Sequence, residues 1–427
     1  MTRPSTAPSP APAFLAPFAT RSFRFQWPAD SCVAWALEME TLILGWYVLV
    51  ETGSVLMLTL FGALQFIGTL AAPMLGTLGD RLGLRRVLAA MRFAYAALAG
   101  VILLLAVTDR LEPVLVLVVA GIAGLIRPSD IGLRTALVGA TVPPAHLMPA
   151  MGIARTSMDS AKVAGALAGS GVVAAYGMAP AYAVITAVHL VGALLTLRVD
   201  AGRSAHAVAA ATAPARPSPW QELREGLSVV WHSPQLLAAM GLAALVNLTA
   251  FPFTGGLMPY IAREVFALDQ RGLGWLIAAY ASGCLVGSLA VGALGGRFGA
   301  GRLMLAAALA WYACLAGFAA SRALAPALAC LVAAGMMQSA SMLALQMLLL
   351  RGSAPQLRGR VMGVRMLAIY PLPLGLLLAG ALIPRLGYGA TAALMMGTGV
   401  MLVLAIAWTW RAVLLARDAP GNALAGR

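Results

Sequence analysis

Glu38 and Glu40 sit in AWALEMETLILGWYVLVE, two carboxylates inside a long apolar run. A charge at the middle of a bilayer costs about 2.5–3.5 kcal/mol on insertion scales, so such groups face a cavity or a partner. A sequestered carboxylate can also take up and release a proton. Two residues apart means about 200° of helical rotation, so Glu38 and Glu40 cannot share a face. Glu38 is the preferred proton-titrating or substrate-pairing group, with Glu40 second; a structural ion pair explains them nearly as well. Arg155, Asp159 and Lys162 recur at i, i+4 and i+7 on one helical stripe, and Lys162 is the only lysine of the chain. Arg127 and Arg134 share a face flanked by Asp130. Mutual neutralisation is the slightly better reading of Asp159 and Lys162. Arg92 and Arg365, near the starts of their runs, read as snorkelling cations. Gln65, Asn247, Gln338, Gln346 and Tyr370 either line a cavity or make interhelical hydrogen bonds. Met336, Met337, Met342, Met347, Met362 and Met366 read first as packing and second as an adaptable apolar wall.

The elements that position these groups follow from composition. The chain is 61% hydrophobic and 10% charged, against about 25% charged in soluble domains. Runs of about 20 apolar residues, enough to cross the hydrocarbon core, recur along most of the length. Run length, with Gly, Pro and charge as punctuation, places helices at 30–52, 54–77, 86–107, 113–135, 148–175, 178–198, 235–262, 271–295, 302–320, 325–351, 359–384 and 388–415. The expected fold is therefore an all-α membrane protein of twelve transmembrane helices in two six-helix halves. Its parts are a disordered cytoplasmic tail (1–28), a first bundle (29–198), a linker with a short surface helix (199–234), a second bundle (235–416) and a cytoplasmic tail (417–427). Gly and Pro in GALAGSG (165–171) and YPLPLG (370–375) suggest corresponding breaks in the fifth and eleventh helices.

The net charge of +14 reports orientation rather than nucleic-acid binding. Arg81, Arg85, Arg86, Arg297, Arg302, Arg351, Arg358 and Arg360 fall in alternate loops, whereas the opposite loops hold only Arg110, Arg263, Arg271, Arg322 and Arg385. Both termini are thus expected in the cytoplasm. The N-terminal residues lack the apolar core and cleavage site of a signal peptide. Four Cys and four His show no metal-ligand spacing, so neither disulfide, metal nor cofactor is expected. No GxxxxGK[ST], HExxH or GxSxG occurs, which argues against ATP-driven work and against an enzyme. One Lys among so many Arg and Ala suggests a GC-rich bacterial genome, hence the bacterial inner membrane.

GTLGDRLGLRR, Gly76 to Arg86, is an island of charge and glycine, and GALGGRFGAGR echoes it 216 residues later. A second echo pairs Pro144, Met151 and Gly152 with Pro355, Met362 and Gly363. Two echoes in one order at nearly one offset argue for parallel halves. Glycines 76, 79 and 83 permit a tight turn, and an Asp beside a helix N-terminus gains from its N–H groups and dipole. Asp80 then reads as a latch; a positively charged turn is the plainer reading.

The stretch resembles the signature loop of the major facilitator superfamily, with Leu84 in place of the usual basic residue and the second acid lost to Gly296. The resemblance implies that Asp80 latches onto the start of the eleventh helix, LRGRVMGV, with Arg358 and Arg360, while Arg81 or Arg85 reaches Asp130. QLRGRVMG, with an acid in the first helix and TGS after it, is similar to the branch of enterobactin exporters and macrolide-efflux proteins. The resemblance implies proton-coupled, siderophore- or drug-like efflux of a small amphipathic compound by alternating access, in a monomer whose partners are substrate, protons and the lipid bilayer. The alternatives are a proton-coupled importer of an organic anion and a non-transporting receptor or scaffold.

Overall fold

A computed structural model of the chain describes residues 13–69, 82–200, 219–294, 299–354 and 357–415. The first half contains α1 (Arg21–Thr52), α2 (Val55–Leu64), α3 (Leu84–Val107), α4 (Pro113–Thr141), α5 (Leu147–Tyr176) and α6 (Met178–Leu197). An amphipathic helix, α7 (Pro219–His232), leads into α8 (Pro234–Thr249). The second half continues with α9 (Gln270–Leu294), α10 (Ala300–Ala320), α11 (Leu324–Arg351), α12 (Arg358–Leu367), α13 (Pro371–Leu386) and α14 (Tyr388–Thr409). Among the described residues, nine helices are long and apolar enough to cross a membrane, against the twelve expected. Three expected spans differ for physical reasons. α2 ends early, in a 3-10 turn at Ile67–Thr69, and residues 70–81 lie outside the described set. α5 is long enough to cross but carries Arg155, Asp159 and Lys162. α8 stops at Thr249 and continues as short turns around Pro252 and Pro259.

Several expected boundaries are corrected. The tail expected to be irregular to residue 28 is helical: a 3-10 turn covers Ala13–Ala19 and α1 begins at Arg21. The cause is an aromatic cluster in which Phe18 stacks edge-on against Phe23 and Trp27, over Val138, Val142 and Ile153. α1 ends where Gly53 adopts φ 61° and donates its N–H to the Leu49 carbonyl, a left-handed cap that favours glycine. The break expected in YPLPLG is present: α12 and α13 are separated by tight turns at Ala368 to Tyr370, because Pro371 and Pro373 have no N–H to continue the ladder. The break expected in GALAGSG is absent, since α5 runs unbroken through it. Its glycines serve contact instead. A Cβ on Gly165 would lie 3.0 Å from Glu38, and one on Gly169 would lie 3.2 Å from Met39, so α1 and α5 meet almost backbone to backbone.

The two halves join at the end remote from the linker. There α2 meets α13 and α5 meets α9. Gly62 faces Leu376, Gly380 faces Thr59, Gly274 faces Ser170 and Gly45 faces Pro259. Arg263 crosses between halves to donate to the Leu49 carbonyl at 3.1 Å. α1 packs on α2, α4, α5 and α6, yet Trp35, near its middle, remains 42% exposed. α7 turns by 109° from α8 and lies on α12, where Glu225 pairs with Arg360 and Gly226 abuts the Arg360 carbonyl.

Within the second half, α9 and α11 interlock through glycines on both helices: a Cβ on Gly335 would sit 2.2 Å from the Tyr280 carbonyl. Gly335→Ala is therefore expected to destabilise by about 1–3 kcal/mol, the usual range for overpacking. The reading is a lower thermal unfolding midpoint in detergent. Gly171→Ala, whose Cβ meets open space, should leave that midpoint unchanged or raise it slightly.

Candidate functional site

Three groups of polar side chains are built into the apolar helices, two inside the first half and one between the halves. The deepest lies near the linker end. Arg92 on α3 is fully buried and forms an ion pair with Asp30 on α1; its Nε lies 3.7 Å from Asp130 on α4. Its Nη1 donates to Thr196 Oγ1 on α6 at 2.6 Å, and that hydroxyl donates in turn to the Gly192 carbonyl at 2.7 Å. Four helices are thus tied to one guanidinium. Two expectations change here. Arg92 does not snorkel, because two carboxylates hold it in the core. Asp130 turns to Arg92 rather than to Arg85, which donates to the Val199 carbonyl at 3.2 Å. Arg134 lies beyond it, with Nη2 at 2.8 Å from the Met158 sulfur and its carbonyl accepting from Gln26.

The second group occupies the middle of the same half. Glu40 Oε2 lies 3.3 Å from Nε2 of His189, which is fully buried on α6. The imidazole is tilted against the Tyr95 ring, with centroids 5.7 Å apart. Its Nδ1 and the hydroxyls of Tyr95 and Tyr182 have no hydrogen-bond partner. Glu40 and Tyr95 also line a cavity of about 40 Å³ with Thr41, Gln65 and Arg127, room for water beside polar partners. Arg127 donates to Gln65 and, at 3.2 Å, to Thr41. Pro128 next to it withholds the N–H that would bind the Gly124 carbonyl, just where Gly124 and Gly68 bring α4 against the end of α2.

The third group lies where α5 of the first half meets α9 of the second. Glu38 shares an α1 face with Trp35 and abuts Gly165 of α5. On α5, Asp159 accepts from Arg155 at 3.0 Å and lies 3.9 Å from Lys162. The expected neutralisation therefore occurs within one helix rather than between helices. Across from them on α9, Cys284 is within electrostatic reach of Lys162, Asp159 and Arg155. Its thiol and the Tyr280 hydroxyl both donate to Gln338 on α11, at 2.9 and 3.0 Å. Arg365 on α12 feels the charge of Arg155.

The remaining expected residues are dispersed. Gly76, Asp80 and Arg81 lie outside the described residues. Gly83 caps α3 with φ 94°, and Arg86 is exposed. Arg358 donates to the Leu350 carbonyl at 3.1 Å. Asn247 bonds to Ala243 in its own helix at 2.8 Å. Gln346 is half-buried on α11. Tyr370 keeps a buried hydroxyl without a hydrogen-bond partner at the break between α12 and α13. Sequence reasoning missed Asp30 and His189 as site residues. His189 is a lone polar group in an apolar run, whereas Asp30 sits among Arg24, Gln26 and Ser31 at the start of one; the cost of burying each unpaired was the available signal.

Among the described residues no three His, Cys, Asp or Glu side chains converge as metal ligands. Removing one partner of a buried ion pair typically costs about 3–5 kcal/mol, while replacing the whole group by apolar residues is far milder. Asp30→Leu should therefore lower the thermal midpoint sharply, and the triple replacement Asp30→Leu, Arg92→Leu, Asp130→Leu should recover most of the loss. Equal damage in both would show that Arg92 does not depend on its carboxylates.

Among curated proteins the sequence finds no match. Solved structures share the fold. The nucleoside transporter NupG aligns with a TM-score of 0.68 at 15% identity, covering 91% of this chain and 99% of that one. A bacterial homolog of the human lysosomal transporter Spinster, in an inward-facing and unoccupied conformation, gives 0.66 at 14%, covering 96% and 99%. A POT family transporter in complex with a thioalcohol-conjugated peptide gives 0.69 at 11%, covering 93% and 97%. The Major Facilitator Superfamily model matches residues 31–268, more than half of the chain, and with this fold the protein belongs to that family as a multi-pass membrane protein that acts on small molecules.

Proposed function

We propose that this protein is a proton-coupled exporter of a small amphipathic compound, working as a monomer by alternating access across a bacterial inner membrane, with twelve crossings and both termini in the cytoplasm. The arginine-rich linker-end loops support that orientation. In this reading a gap between the halves, lined by Glu38 and by the polar groups of α5 and α9, opens to the cytoplasm at the linker end. The observation that carries the proton coupling is the Glu40 and His189 pair, sequestered inside the first half and apart from the gap where a substrate would bind. A carboxylate and an imidazole side by side change their joint charge by one when a single proton binds or leaves. A membrane potential contributes about 2.3 kcal/mol per charge per 100 mV to moving it.

In this reading Glu38, Lys162 and Gln338 contact substrate from the two halves, against the methionines of α11 and α12. Asp80 and Arg81 latch the linker end against the start of α12 when that end closes. A second reading, import of an organic anion, draws on Arg155, Lys162 and Arg365 around the gap, a cationic excess that an anionic group would complement. The substrate names printed for the similar structures differ from one another, and none is carried over here.

The test is transport in proteoliposomes with an imposed pH gradient. Glu40→Gln should lose more than 90% of gradient-driven flux while substrate counterflow, which needs no net proton movement, survives. Asp80→Asn should slow both. Flux in the direction of the proton gradient, rather than against it, would favour the importer; gradient-driven flux unaffected by Glu40→Gln would remove the proposed proton site.

A further inference from the structure

The second half contains a void that the transport reading does not use. Between α10 and α14 lies an open groove of about 1040 Å³. The two helices touch closely at one level, where Gly399 admits the Tyr312 ring; a Cβ there would stand 2.4 Å from it. Towards the end remote from the linker the facing residues are too small to fill the space: Ala313, Ala316 and Ala320 on one wall, Gly389, Ala393 and Gly397 on the other. The corresponding pair in the first half, α3 and α6, is closed. Arg92 binds Thr196, Tyr95 covers His189, and Gly100 meets Thr186. The groove is thus particular to one half of a duplicated fold.

Its dimensions match one leaflet. Leu309 to Arg322 and Met401 to Tyr388 each span fourteen residues of groove wall, a rise of about 20 Å, against about 15 Å for half of the hydrocarbon core. Its chemistry is graded along that length. The mid-membrane end, at Leu309, Val400 and Met401, is wholly apolar. The outer end holds the exposed Arg322, which makes no ion pair among the described residues, beside Tyr388, whose ring packs inward against Phe253 and Tyr260.

We propose that this groove binds one membrane phospholipid, its acyl chains lying along the alanines and glycines and its phosphate held by Arg322. An unpaired guanidinium at headgroup depth complements a phosphate. Surface this apolar, at this depth, is filled by acyl chain rather than by water. The site is separate from the gap between halves, so it stands whether or not the transport reading does.

The test uses the full chain in detergent, with lipid binding read by native mass spectrometry and thermal midpoint. Phosphatidylglycerol should bind at least tenfold more tightly than diacylglycerol with the same chains, which lacks the phosphate. Arg322→Gln should reduce phosphatidylglycerol to the level of diacylglycerol. Arg110→Gln, a surface change at the same end in the first half, should alter nothing. Ala316→Phe, filling the groove, should abolish binding of both, with Ala393→Leu as the milder form. Equal binding of the two lipids, an equal loss in Arg110→Gln, or undiminished binding in both filled variants would overturn the assignment.

Discussion

A guanidinium in hydrocarbon needs its counter-charges brought to it, and that requirement organises the first half. Arg92 has no route to water, so α1, α4 and α6 must each present a polar group to α3 at one depth. Moving any of these helices alone would leave a charge unpaired in the core, at a cost of several kcal/mol. The group therefore acts as a rivet, and the first half moves as a body. The pair formed by Glu40 and His189 sits about two turns deeper on α6, seven residues from Thr196, against a rigid background. Changes in its protonation then act on electrostatics and hydration rather than loosening the bundle.

The second half is held together differently. Its charged contacts lie towards the ends of its helices, and the polar contacts between its packed helices are neutral: Tyr280 and Cys284 donate to Gln338, Ser339 donates to the Cys284 carbonyl, and Thr249 meets the Tyr312 hydroxyl. Close approach at Gly283, Gly287 and Gly335 does the rest, since small residues let backbones meet where hydrophobic driving force is weak. Such contacts slide more readily than an ion pair. The breaks in this half, after Thr249 and at Ala368 to Tyr370, concentrate bending where prolines already interrupt the ladder.

Much of this was legible in the sequence, and the limits are physical. Apolar run length located α3, α6, α10 and α11 to within about two residues, because desolvation decides where those helices lie. The duplicated glycine-rich loop led to the expectation of parallel halves, and both of its copies lie partly outside the described residues. Glycine was read less well. In YPLPLG proline fixes the outcome locally, so the break was visible; in GALAGSG the glycines meet Glu38 and Met39 on another helix, and no local pattern says whether a glycine is hinge or contact. Charge was read least well. Arg92 looked like a snorkelling cation because its partners lie 62 residues before it and 38 after it. His189 looked inert without Glu40, which comes 149 residues earlier. Pairings of that kind are products of tertiary structure.

The same contrast bears on how the halves communicate. The charge chemistry lies in the first half, while the bends and sliding contacts lie in the second. The joints between them are small-residue contacts at the end remote from the linker: Gly274 on Ser170, Gly380 on Thr59 and Gly62 on Leu376. Among the described residues the charged contact across this end is Arg263 on the Leu49 carbonyl, and Glu264 stays beside Arg263, so separating the joints exposes apolar surface to water without leaving that charge unpaired. That makes them the cheaper place to open, whereas the linker end of the first half is locked by Arg92. In the proposed cycle, a proton arriving at Glu40 does not pull the second half directly. It changes the charge that the first half presents to the gap, beside Glu38 and Lys162, and so changes which closure of the second half over that gap is favoured.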